Sequence, residues 1–115
     1  MTNTELEQRK LCETYDAEYY PSLPFQKLGI SDNIGSDKLP INGLRHLPSR
    51  GTCGWYIWRG EELGQDDGFF QPIHVLHLED ELPGVMKFLA LPPGWRFLVA
   101  PGHQDVWYDL SLLVE

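Results

Sequence analysis

The sequence predicts an α+β fold: an antiparallel sheet of about four or five strands with two helices packed against it, in a single domain over residues 1–115. Three observations point there. All four tryptophans fall in three short runs, Cys53–Trp58, Trp95–Val99 and Asp105–Asp109, each rich in aromatic or β-branched residues and bounded by Gly, Pro or Asp, as strands are. Two other segments carry helical capping and periodicity signals. The length of 115 residues, 42% of them hydrophobic, suits one ordinary domain that folds without disulfides or a structural metal.

The first element, within residues 1–20, is a helix over about residues 4 to 17. Thr4 followed by Glu7 is a capping-box pattern, and Leu6 and Leu11 share part of an apolar face. It must stop before Pro21, because the residue ahead of a proline is pushed out of the α region. Residues 21–52 read as a loop-rich segment, punctuated by Pro21, Pro24, Pro40 and Pro48 and by four glycines. Its apolar side chains, from Leu23 to Leu47, predict that it wraps against the core. So long a stretch is unusual unless it is a binding loop or hides short strands.

Residues 53–115 hold the main sheet and helix. Over 53–59, Cys53, Trp55, Ile57 and Arg59 point one way and Gly54, Tyr56 and Trp58 the other. Both faces are largely apolar, as in a central strand covered on both sides. Residues 60–68 are a polar, glycine-punctuated loop. Phe69 to Leu76 reads as a strand that Pro72 places at an edge. Glu79 to Leu89 reads as a helix, with Leu82, Val85, Met86 and Leu89 at helical spacing and Pro83 in its first turn. Trp95–Ala100 and Asp105–Asp109 form a hairpin through Pro101-Gly102, the pair a type II turn asks for.

Nine Lys and Arg against 17 Asp and Glu give a net charge of −8. Nucleic-acid affinity comes largely from cations displacing counterions, so nucleic acid is excluded as a partner and a basic protein is favoured. The N-terminus has neither the basic nor the apolar region of a secretory signal, and no apolar run approaches the ~20 residues of a membrane span. These features, with two cysteines in no metal or disulfide pattern, predict a cytoplasmic protein with reduced thiols.

No constellation announces a chemistry. His74 and His77, three apart on a strand, would point to opposite faces, and the tight ligand spacings of structural zinc are missing. Glu61-Glu62, Asp66-Asp67 and Glu79 to Glu81 are adjacent carboxylates, which cannot flank a cleft at a set separation. No cofactor motif is present, and Arg96 is expected to pair with Asp105 or Asp109 or to cap an aromatic ring.

The order of motifs carries more: Asn42-Gly43-Leu44-Arg45-His46-Leu47-Pro48, Cys53-Gly54-Trp55-Tyr56-Ile57-Trp58, Pro72-Ile73-His74-Val75-Leu76-His77-Leu78, Leu89-Ala90-Leu91-Pro92-Pro93-Gly94-Trp95-Arg96-Phe97-Leu98 and Asp105-Val106-Trp107-Tyr108-Asp109. Together, over roughly residues 40 to 113, they resemble a small bacterial domain family that includes predicted immunity proteins of polymorphic-toxin systems. The resemblance implies a cytoplasmic, non-enzymatic protein that binds and neutralises a cognate toxin. It brings no catalytic motif. Immunity contacts then fall in the loops, at 60 to 68, parts of 23 to 50 and the turn at 101 to 104, with Glu61, Glu62, Asp66 and Asp67 as the partner-binding candidates. A second reading, from another class, is a small metal- or ligand-binding domain or enzyme using His46, His74, His77 and His103. It requires at least two of those imidazoles to converge with a carboxylate. A third is a domain of unknown role that shares only the fold.

Overall fold

The computed structural model describes residues 2–61 and 68–114. Helix α1 (Asn3–Thr14) begins two residues before the expected capping box. Thr2 is the N-cap, its hydroxyl accepting from the Glu5 amide at 3.1 Å. The helix ends at Thr14, ahead of Asp16 at φ 55°, and it buries Leu11 and Cys12 while Leu6 stays exposed.

The sheet is larger than expected and mixed rather than antiparallel. Six strands, β1 (Lys27–Ser31), β2 (Ile41–Arg45), β3 (Thr52–Arg59), β4 (Phe70–His74), β5 (Trp95–Ala100) and β6 (His103–Tyr108), lie in the order β4-β1-β3-β2-β5-β6. The loop-rich segment therefore supplies two inner strands. β3 returns antiparallel from β2 and inserts between β2 and β1, so it runs parallel to β1, while every other pairing is antiparallel. The close fit of the inner strands explains a glycine: Gly43 lies opposite Phe97, and a Cβ there would sit 2.1 Å from the ring.

Helix α2 (Val75–Glu81) starts four residues earlier than predicted. Val75, Leu78 and Leu82 recur at helical spacing and are all buried, and the Val75 amide makes the last bond beside the β1–β4 ladder, donating to the Gln26 carbonyl at 2.8 Å. Pro83 cannot continue an α-helix, lacking an N–H and clashing with the preceding turn. It opens a separate 3-10 helix, Pro83–Phe88. The single predicted helix is thus two short ones joined at a break.

α1, α2 and this 3-10 helix all pack on one face of the sheet. The core there joins Leu28, Ile30, Cys53, Trp55, Ile57 and Phe97 to Leu11, Val75, Leu78, Val85 and Phe88, and Phe88 stacks on Phe97 at 4.2 Å. The opposite face of β3, expected to lie under a second layer, is covered largely by neighbouring rings. Tyr56 and Trp58 make edge contacts with Phe70 at 5.2 and 6.4 Å.

One buried cation closes an end of the sheet. Arg45, the last residue of β2, is 1% exposed. Its Nε donates to the Cys53 carbonyl at 2.8 Å, and Nη1 donates to the carbonyls of Tyr20 at 2.8 Å, Leu91 at 2.8 Å and Leu89 at 3.3 Å. The guanidinium lies 4.8 Å from the Tyr20 ring and 5.7 Å from the Trp55 ring. Burial pulls its pKa down, opposed by Cys53 and Tyr20. No carboxylate is among these partners; oriented carbonyl dipoles and ring faces take that role.

Candidate partner-binding surface

The chain path gathers several loops at the other end. β1 leaves for residues 32–40, β3 for residues 60–69, and β5 turns into β6 through Pro101-Gly102, with Gly102 at φ 74° as a type II turn requires. The break between α2 and the 3-10 helix reaches the same end. The strand ends from which three loop regions predicted to carry contacts depart are therefore neighbours, although the remainder of 23–50 lies in strands or at the Arg45 end.

Glu61 is exposed immediately beyond β3. Glu62, Asp66 and Asp67 lie outside the described residues. Among the described residues the ion pairs are Arg9–Glu5, Arg96–Asp109 and His103–Asp105, so Glu61 and the exposed Glu81 have no cationic partner there. Gly60, at φ 97°, is held by its amide on the Pro40 carbonyl at 2.9 Å and by its carbonyl on Asn42 Nδ2 at 2.8 Å. That clamp fixes where the acidic loop departs.

Beside it a cleft of about 460 Å³ opens between the strand ends and the helix break, walled by Leu39, Ile41, Leu82, Pro83, Gly84, Val85, Val99, Ala100 and Pro101, with Arg59 and Glu81 as its charged members. Arg59 is engaged elsewhere: Nε donates to the Ile34 carbonyl at 2.8 Å and Nη1 to that of Lys38 at 3.2 Å. The arrangement has the form of an open apolar cleft with one carboxylate and one guanidinium at its edge. Neither residue type nor spacing marks it in the sequence, because its wall is assembled from four distant segments; only the Glu81-Leu82-Pro83-Gly84 break hints at apolar residues turned out of a helix.

The four histidines occupy three separate places. His46 contacts the Leu112 carbonyl through Nδ1 at 3.2 Å and the Tyr56 ring at 5.6 Å. His103 pairs with Asp105 at 2.9 Å. His74 and His77, expected on opposite faces of a strand, are instead 6.0 Å apart between ring centroids, because His74 is the N-cap of α2 and His77 lies in its first turn. Among the described residues, no group of three or more His, Cys, Asp or Glu side chains is placed to hold a metal ion, and no helix is long and apolar enough to cross a membrane. Arg96 meets two of its expected partners at once, Asp109 Oδ2 at 3.1 Å and the face of Trp107 at 5.3 Å, while Asp105 belongs to His103.

The model of one protein family, the Imm33-like domain, matches residues 7–109. No curated protein and no solved structure matches the chain.

Proposed function

Because the chain belongs to the Imm33-like domain family, we propose that it is a non-enzymatic immunity-type protein that binds a cognate toxin in the cytoplasm and neutralises it. The family match carries this reading. The charge supports it: at net −8 the protein's field draws in a basic partner and speeds encounter. The contact surface is the loop-bearing end of the sheet, with Glu61, Glu62, Asp66 and Asp67 as its acidic edge. Neutralisation by occlusion needs no catalytic group on this chain and no cofactor.

Co-expression with the product of a flanking gene that arrests growth when expressed alone tests the proposal. The expected result is restored growth of a host that the toxin alone arrests, with a stable complex on gel filtration. Continued arrest with both proteins soluble and no complex would overturn the reading. Within a positive result, changing the four acidic residues to Ala and Asn is expected to slow association about tenfold at low salt and to flatten its salt dependence.

A further inference from the structure

We infer that the cleft between the strand ends and the helix break is the anchor socket for the toxin, and that it receives one large apolar side chain flanked by Lys or Arg. This rests on the toxin-binding reading and specifies its chemistry. An open cleft of about 460 Å³ with a largely apolar wall has room for one large side chain. Interfaces concentrate their affinity where such a pocket takes an aromatic or aliphatic side chain away from water. Its walls are strand ends together with Pro83 and Pro101, which restrict the backbone on two sides. A preformed socket loses little conformational entropy on binding.

Charge selects what may flank the anchor. Arg59 in the wall keeps its charge while donating to two backbone carbonyls, and Lys38 is exposed beside it, but the exposed Asp32, Asp37, Glu61 and Glu81 outnumber these two cations at this end of the sheet. An acidic flank would meet like charge; a basic one is complementary.

Gly84 gives the socket a clean test. It lines the cleft, a Cβ there meets nothing within 4 Å, and its φ is outside the left-handed region, so Gly84→Phe adds a bulky ring at the cleft's edge without backbone strain. Leu39, 47% exposed, offers a second route through Leu39→Asp. Affinity for the toxin identified by that co-expression is measured by calorimetry for the wild type, these two variants, Glu81→Lys, and the exposed Leu47→Ala at the Arg45 end as control. Gly84→Phe and Leu39→Asp are expected to weaken binding at least about thirtyfold, the loss typical of a central anchor. Glu81→Lys is expected to weaken it several-fold, and Leu47→Ala to leave it unchanged, with melting temperatures alike throughout. If Gly84→Phe fails to fold, Leu39→Asp decides. Wild-type affinity in both folded socket variants would overturn the inference and leave the toxin-binding reading standing. A wild type that binds no toxin would remove both.

Discussion

Where β2 ends, Arg45 draws the carbonyls of Tyr20, Cys53, Leu89 and Leu91 onto one guanidinium; where β2 begins, Ile41 faces an open apolar cleft with Glu81 and Arg59 at its edge. Both places join segments far apart in the sequence, and they do so by opposite means. At the Arg45 end the buried guanidinium and its four carbonyls satisfy one another, so a substitution there strands buried carbonyls or meets backbone, although a cleft of about 340 Å³ lined by Tyr20, Leu23, Gln26 and Arg45 opens beside them. At the cleft end apolar surface is left unfilled and charge unpaired, so a substitution has room and alters what the surface can receive. A stable scaffold at one end lets the other be specialised for a partner.

The largest expected effect is that of Arg45→Met. Removing the cation leaves buried carbonyls without donors, and the loss of a partner from a buried charged network costs about 3–5 kcal/mol. Chemical denaturation should show a midpoint far below the wild type; an unchanged midpoint would mean that the knot is ornamental. Next comes a matched pair of glycines. Gly54, at φ 96°, has the His46 carbonyl oxygen 2.1 Å from where a Cβ would stand, so Gly54→Ala should lower stability by about 2–3 kcal/mol through backbone strain and overlap. The same exchange at Gly84, in open space, should leave stability unchanged or raise it by up to about 1 kcal/mol. Equal losses at the two glycines would erase the distinction between the ends.

A pH series separates the ends more finely. The Ser111 hydroxyl, and after it the Arg96 guanidinium, hold the Asp109 carboxyl below its ordinary pKa at the Arg45 end. A folded-state pKa below the unfolded one adds stability that is fully present above the unfolded value, about 3.9, and is lost as pH falls through the folded value. Asp109→Asn should therefore be less stable than the wild type at neutral pH, and the gap should close in strong acid. A gap constant with pH would assign the loss to packing instead of charge.

Parts of this architecture were legible in the sequence for identifiable reasons. β3, β5 and β6 are dense in aromatic and β-branched residues and bounded by Gly or Pro, and the Pro101-Gly102 turn sits where its chemistry demands. β1 and β2 were not legible as strands, because each is five residues with glycine at its centre. Gly43 weakens the local strand signal, yet Phe97 requires it, a case of packing overriding propensity. The parallel β1–β3 pair was hidden because it follows from where β3 inserts, not from any local pattern. The run Ile73 to Leu78 is short and apolar, and periodicity alone does not separate strand from helix at that length; the error carried the two histidines onto opposite faces. The acidic loop reads as solvated in the sequence, and residues 62–67 of it lie outside the described residues. The cleft was not legible, since residues 39–41, 59, 81–85 and 99–101 meet only in three dimensions.

Hydrogen–deuterium exchange of the protein alone and with the toxin domain tests the proposed contact surface most directly. The account predicts added protection in residues 32–40, 81–85 and 99–102 on binding, and unaltered exchange in 45–51 and 89–94 around Arg45. Protection centred on the Arg45 end, with the cleft segments unaffected, would contradict it.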